Sequence, residues 1–183
     1  MKNAPYIYLI IILTIINSCT KENMTTSKKE ESYKFIIKTS DILSNKNLPK
    51  LIEKLENSKL KEEDNLSQMP EIVSNFLDGL SENFKIANKN GQWNATDIIL
   101  DKNLPKRKLL YLGNGKNISL LTYNKGGIGK STQILIMEYD KEKMLDFWCG
   151  SVLVDLNNKD QIIKYLKENM TKKWGLNTNI LNY

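Results

Sequence analysis

Apolar positions in the first half of the chain recur at helical spacing. Residues 33–43 predict one helix, and a second begins near Pro49, with Leu51, Ile52 and Leu55 on one face. The clearest helix is predicted over 70–88, where apolar residues lie three or four apart: Ile72, Val73, Phe76, Leu77, Leu80, Phe84 and Ala87. Gly79 within it is expected to allow close packing, because glycine otherwise weakens a helix. The polar residues 62–68 are predicted to separate these helices.

From residue 92 onward, apolar and polar positions alternate, as is typical of strands. Strands are predicted over 107–113, 118–124 and 132–139 and within 144–156. Asn114-Gly115 and residues 140–143 are turn signals. A last helix is predicted over 160–170, before a tail with Trp174, Ile180 and Leu181. Its apolar side would carry Ile162, Ile163, Leu166 and Met170. The pattern predicts an α+β fold. N-terminal helices would pack on one face of an antiparallel β-meander of three to five strands, with a C-terminal helix.

The composition limits the chemistry that this chain can perform. Its 183 residues are 40% hydrophobic, which suffices for one core, and they include no histidine and two cysteines. Without imidazole the chain cannot build a Ser-His-Asp or Cys-His nucleophile, a His-ligated zinc site or a haem site with a proximal histidine. Two cysteines cannot complete a Cys₄ zinc site. We therefore predict no catalytic residue, no metal site and no cofactor.

The basic residues are almost all lysine. The chain has 27 Lys and Arg against 21 Asp and Glu, and Arg107 is the one arginine among them. Few guanidinium groups mean few bidentate contacts to phosphate or guanine. The charges of both signs are mixed, as in residues 50–64, rather than gathered on one stripe. We predict that the chain does not bind nucleic acid, despite its net charge of +6.

The N-terminal segment has the pattern of an export signal. Lys2 precedes an apolar stretch of 11 residues, 6–16, which is shorter than the roughly 20 residues that span a bilayer and is typical of a signal peptide. The stretch ends in Ile16-Asn17-Ser18-Cys19. This sequence resembles the lipobox of bacterial lipoproteins, in which an aliphatic residue and small residues precede an invariant cysteine.

The resemblance implies a processed and anchored protein. Residues 1–18 would be a cleaved signal peptide, Cys19 would carry acyl chains such as palmitate, and residues 19–32 would form a flexible tether to a single α+β domain, 33–183. Several acyl chains anchor a protein stably, so the lipid bilayer is the expected partner of Cys19. The alternatives are an uncleaved anchor and an ordinary secretory signal. The absence of Asp after the cysteine favours the outer membrane and leaves the periplasmic or surface face undetermined.

A glycine-rich segment, residues 125–132, reads KGGIGKST. It resembles the deviant Walker A loop of the ParA/MinD-like ATPases. The resemblance would place Lys130 on the phosphates, Ser131 on Mg²⁺ and Lys125 in the position of the signature lysine. In that family a helix follows the loop and a large nucleotide-binding domain follows the helix. Here 51 residues follow Thr132, and the first of them alternate as in a strand.

We therefore predict that the glycine-rich segment is a hairpin loop, with glycines that permit positive φ and lysines that keep the turn solvated. A second interpretation is an anion-binding nest. In that arrangement the backbone of Gly126, Gly127 and Gly129 would bind a ligand together with Lys130 and Ser131. Nucleotide binding is the third interpretation.

Further candidates for chemistry lie on the predicted strands. Four acids are close enough in sequence for a pair of the glycosidase type, but the lysines among them favour a solvated turn: Glu138, Asp140, Glu142 and Asp146. Trp93, Tyr123 and Trp148 would line a ligand groove or, as we expect, belong to the core. Cys149 has apolar neighbours and is predicted to be buried and unreactive.

These features together predict an envelope lipoprotein whose domain is a non-enzymatic binding module, with an envelope protein as the expected kind of partner. One alternative is a carboxylate-dependent envelope hydrolase or transferase. The other is a nucleotide-binding P-loop protein.

Overall fold

A five-stranded antiparallel sheet organises the chain. The computed structural model describes residues 35–81, 84–172 and 176. The strands follow one another across the sheet in chain order: β1 (Lys61–Glu63), β2 (Arg107–Asn114), β3 (Ile118–Lys125), β4 (Ser131–Tyr139) and β5 (Met144–Val152). The helices are α1 (Thr39–Leu43), α2 (Leu48–Glu56), α3 (Glu71–Leu80) and α4 (Lys159–Asn169), with a 3₁₀ turn at Leu66–Gln68. The predicted α+β meander with N-terminal helices and a C-terminal helix is confirmed.

Short turns connect the strands where the sequence predicted them. After β2, the N–H of Gly115 donates to the carbonyl of Ile118 at 2.8 Å. Between β4 and β5, the Asp140 carboxylate accepts the N–H groups of Glu142 and Lys143 at 2.8 and 2.9 Å. An Asp that bonds to the backbone two and three residues ahead fixes a tight turn. Strands β3 and β4 pair without interruption from Ile118 opposite Glu138 to Lys125 opposite Ser131.

Helices cover both faces of the sheet, so the prediction of one covered face is wrong. Adjacent residues of β5 point to opposite faces. The Phe147 ring packs edge-on against Phe76 of α3, with 5.0 Å between ring centroids. The Trp148 indole N–H instead donates to Asn45 Oδ1, between α1 and α2, at 3.1 Å. Every residue of β3 before Lys125 is buried, as a sheet covered on both faces requires.

Helices α2 and α4 lie side by side on the sheet face to which Trp148 points. Lys54 of α2 donates to Glu138 of β4 at 2.7 Å, and Lys167 of α4 donates to Glu56 of α2 at 2.6 Å. The predicted apolar stripes of both helices are buried: Leu51, Ile52 and Leu55 in α2, and Ile162, Ile163 and Leu166 in α4. Pro49 lies in the first turn of α2, as predicted.

Two predicted helices are shorter than expected. Helix α1 begins at Thr39 rather than at 33, and α3 ends at Leu80 rather than at 88. Beyond α3, Ala87 pairs with β2: its N–H donates to Arg107 at 2.8 Å, and its carbonyl accepts the N–H of Leu109 at 2.9 Å. Hydrogen bonds to the backbone of β2 thus hold Ala87 in extended form, in a segment whose apolar spacing suits a helix.

Two predictions for the N-terminal half, the polar break and the role of Gly79, are also wrong. Residues 61–63, partly within the predicted polar break, form β1, which pairs with β2 from Lys61 opposite Asn114 to Glu63 opposite Leu112. A three-residue polar edge strand has too few positions to show a period. Gly79 does not allow close packing of another segment, because a Cβ added there meets no atom within 4 Å.

Several predictions concern residues outside the described ranges. These are the signal peptide 1–18, the lipidation site Cys19, the tether 19–32 and the tail residues Trp174, Ile180 and Leu181. Within the described ranges, none of the helices combines the length and the apolar character that a bilayer crossing needs.

Candidate functional site at the glycine-rich end of the sheet

The glycine-rich segment connects β3 to β4 as a hairpin loop. Lys125, the last residue of β3, pairs with Ser131, the first residue of β4, and the loop lies between them. This confirms the predicted strand–loop–strand arrangement. The nine residues that begin at Ser131 form a strand, whereas a P-loop needs a helix there to direct its N-terminal amides at the phosphate.

Gly126 is the glycine of the loop that the fold requires. Its N–H donates to the carbonyl of Lys106 at 2.9 Å, and its Cα faces the backbone of Asn94 and Ala95. A Cβ on Gly126 would clash with the Asn94 carbonyl oxygen and lie 2.8 Å from the Ala95 carbonyl carbon. At Gly127 and Gly129 an added Cβ meets no atom within 4 Å. The close approach of two backbone segments therefore requires glycine at position 126 but not at positions 127 and 129.

The loop backbone does not use the conformational freedom that the sequence suggested. No glycine among the described residues has a positive φ. A nest needs consecutive amides in right- and left-handed conformations, and the Gly126 amide is already engaged by Lys106. Ligand binding by Gly126, Gly127, Gly129, Lys130 and Ser131 stays a prediction.

Lys130 forms an ion pair with an acid that sequence reasoning missed. Its Nζ lies 2.8 Å from Oδ2 and 3.0 Å from Oδ1 of Asp155, in the segment that follows β5. The Lys130 hydrogen bond holds the pKa of Asp155 below its usual range. Ser131 Oγ accepts a bond from Gln133 Nε2 at 3.1 Å. No local pattern marks Asp155, because it lies 25 residues from its partner in sequence.

An open cleft of about 730 Å³ lies beside this ion pair. Its lining includes one indole ring, amides, ammonium groups, two carboxylates and two leucines, and the residues beside the ion pair are Trp93, Lys108, Asn124 and Asn158. Asn124 is buried, and its Oδ1 accepts the Thr132 hydroxyl at 2.9 Å. Asn158 caps α4 by accepting the N–H of Gln161 at 2.9 Å. The polar groups of the cleft wall are therefore held in place by strand and helix ends.

A folded loop, residues 94–105, forms the neighbouring part of the site. The buried Asn94 side chain closes it by donating to the carbonyls of Asp101 and Leu104 at 2.7 and 3.0 Å. The Asn94 N–H donates to Pro105 at 2.9 Å. Thr96 makes a parallel bridge to Gly127, which attaches the loop to the hairpin. Asn94 thus has a structural role that its polar surroundings in sequence did not reveal.

The aromatic and cysteine candidates divide between core and cleft. Tyr123 and Trp148 are fully buried, so the expected core role is confirmed for both. Trp93 is half-buried and lines the cleft. Cys149 is buried, as predicted, and burial raises the pKa of its thiol to about 12.

Three of the four candidate acids have structural partners. Burial acts to raise the pKa of Glu138, but Lys54 at 2.7 Å and Lys50 at 3.2 Å outweigh it, so this pKa lies below its usual range. Asp146 accepts the amide of Asn47 at 2.7 Å. Asp140 bonds to the turn backbone that follows it, whereas Glu142 is exposed.

No family model and no solved structure match this chain. Among curated proteins it is similar to the ATP-binding protein Uup of Buchnera aphidicola subsp. Acyrthosiphon pisum (strain APS). The two are 30% identical over 154 residues, which cover 79% of this chain and 23% of that protein. The chain thus spans less than a quarter of the relative, and this similarity does not assign it to a family.

Proposed function

We propose that this chain is a lipid-anchored protein of the bacterial cell envelope. The proposal rests on the segment that ends in Cys19, whose basic start, short apolar stretch and lipobox-like end follow the lipoprotein pattern. Acylation of Cys19 would hold the folded domain at a membrane without any transmembrane helix.

We further propose that the folded domain is a non-enzymatic binding module. The carrying observation is the polar cleft, which offers Trp93, Lys108 and Asn124 as recognition groups around the Lys130–Asp155 pair. The composition provides no imidazole for proton transfer, and the best-placed acids, Glu138 and Asp146, are engaged by lysine and asparagine side chains. An aromatic face with amides and charges of both signs suits a polar ligand or a polar segment of an envelope protein.

We do not propose that this chain binds a nucleotide. The relative's name describes that protein as ATP-binding, and this chain covers 23% of it. A strand follows Ser131 where a P-loop needs a helix, and Lys130 pairs with Asp155; both observations favour the binding module over the P-loop interpretation.

The anchor is tested by metabolic acyl labelling and membrane fractionation of the full chain. Wild type should incorporate label and remain in the membrane fraction, and Cys19→Ala should lose both properties. Cys149→Ala is the matched control, because it removes the other thiol of the chain and should leave labelling and retention intact. Label that persists in Cys19→Ala would refute the anchor.

The cleft is tested by affinity capture from solubilised envelopes. A partner retained by wild type should be lost with Lys108→Ala, which changes the cleft wall, and kept with Lys141→Ala, which changes an exposed lysine in the β4–β5 turn. Equal capture by both variants would place the binding surface elsewhere.

A further inference from the structure

Six aliphatic side chains are exposed at the glycine-rich end of the sheet. We name them the aliphatic tip, and they come from three separate segments: Ile98, Ile99, Leu100, Ile128, Leu153 and Val154. The exposed fractions reach 98% for Ile128, 89% for Leu100 and 84% for Leu153. Concentration of large apolar side chains on one part of a surface marks an interaction site.

Backbone pairing brings the three segments together. Thr96 bridges Gly127, which places the 98–100 segment beside the hairpin that carries Ile128. Val152 pairs with Thr132, and the 2.8 Å contact between Lys130 and Asp155 ties the segment after β5 to the same hairpin. The tip is therefore one surface, although its members lie up to 56 residues apart in sequence.

The exposure of the tip is built into the fold. The Asn94 amide closes the loop that carries Ile98–Leu100, so that loop is held by its own hydrogen bonds while its aliphatic side chains face outward. Ile128 lies on a loop whose ends are fixed by the pairing of Lys125 with Ser131. Fixed loops that present aliphatic side chains to water call for a partner that accepts them.

We propose that the aliphatic tip inserts into the surface of a lipid bilayer. The tip contains only aliphatic side chains on projecting loops, whereas protein interfaces are enriched in aromatic residues, methionine and arginine and depleted in lysine. The three segments, 96–106, 125–130 and 153–155, add four lysines and three aspartates, and lysine ammonium groups can remain at the headgroups while aliphatic chains enter.

The bilayer is close at hand if Cys19 is acylated, and in that respect the docking rests on the proposed anchor. Fifteen residues separate Cys19 from Phe35, the first described residue, and an extended chain over that span reaches roughly 50 Å. The tether can therefore let the tip face the membrane to which it is attached. Docking would orient the domain, with the polar cleft beside the headgroups.

The test uses the chain from residue 19 onward with Cys19→Ser, so that no acyl group contributes. Flotation with vesicles of phosphatidylcholine and phosphatidylglycerol in equal parts should recover this protein, and Ile128→Ser with Leu153→Ser should lower its partitioning by at least about tenfold. Leu145→Ser is the matched control, because Leu145 is 42% exposed at the opposite end of the sheet and should not matter. Equal partitioning of all three proteins, or none by any, would overturn the proposal.

A second measurement locates the tip in the full-length protein in proteoliposomes. A nitrobenzoxadiazole label on Ile128→Cys should shift to the blue and be quenched by spin-labelled lipid, and a label on Leu145→Cys should not. Cys149 is buried and Cys19 carries the proposed acyl group, so the engineered thiol is the target of the label. Tip substitutions that instead abolish dimerisation would assign the tip to a second copy of the chain. Tip substitutions that lower the stability of the free protein would assign it to residues 177–183. Either result overturns bilayer docking. Acyl labelling tests the anchor separately, so the two failures are distinguishable.

Discussion

Alanine substitutions at the three glycines of the β3–β4 loop should show whether each position needs glycine because a Cβ would clash or because the backbone is left-handed. Gly126→Ala places a methyl group against the backbone of Asn94 and Ala95, whose atoms cannot rotate away as a flexible side chain could. Relief requires the 94–105 loop to move from the hairpin, which weakens the bond from the Gly126 N–H to the Lys106 carbonyl. Overpacking of this kind costs roughly 1–3 kcal/mol.

Gly127→Ala and Gly129→Ala are the matched controls in the same loop. Neither added methyl group meets an atom within 4 Å, and neither glycine has a positive φ. Replacement of glycine at such a position stabilises a protein by about 0.4–1 kcal/mol, because the unfolded chain loses conformational freedom. The same gain offsets part of the clash at Gly126, so the net loss there should be about 1–2 kcal/mol.

Urea denaturation, followed by tryptophan fluorescence, measures these differences, and Trp148 is a buried reporter. In a thermal melt of the same proteins, Gly126→Ala should lower Tm by roughly 2–8 °C, whereas the controls should leave Tm unchanged or raise it. If all three variants were destabilised alike, the loop would depend on left-handed glycine conformations, as a phosphate-binding loop can, and the hairpin geometry would be refuted.

Two further predictions concern buried groups. Glu138→Gln should lower the free energy of unfolding by about 1–2 kcal/mol at neutral pH, because Lys54 and Lys50 lose their charged partner. Since the folded-state pKa lies below the usual glutamate value of 4.5, this stabilisation is present above that pH and disappears as the pH falls further; a difference that persists unchanged at pH 3 would contradict the assignment. In Cys19→Ser protein, Cys149 should resist maleimide until the chain unfolds, because burial raises its pKa to about 12, whereas a thiol engineered at exposed Ile128 should react at once. Comparable labelling rates would disprove burial of Cys149.

Local signals in the sequence were enough to predict most of the meander. Asn114-Gly115 and Asp140 act within a few residues of themselves, so their turns could be recognised without the fold. The buried stripes of α2 and α4 were equally visible, because helical spacing is a local property. The extended conformation at Ala87 was not predicted because its partner is the distant backbone of β2.

The candidate site was predicted only in part. The hairpin and its lysines stand in one short segment, which explains why they could be identified. Asp155, Asn94 and the cleft depend on contacts between segments that carry no mutual signal in the chain. The sequence did not predict that both faces of the sheet are buried, because buried polar residues such as Ser119 and Thr122 interrupt the apolar run of β3.

The sequence by itself determined the α+β class and the strand order at the hairpins, and the absence of histidine excluded imidazole chemistry, since these follow from composition and near-neighbour geometry. Only the tertiary structure decided that helices cover both faces and that Lys130 pairs with Asp155. It also joined Leu100, Ile128 and Leu153 in one exposed tip. Those features arise when strand pairing brings distant segments together, and no local pattern encodes the resulting contacts.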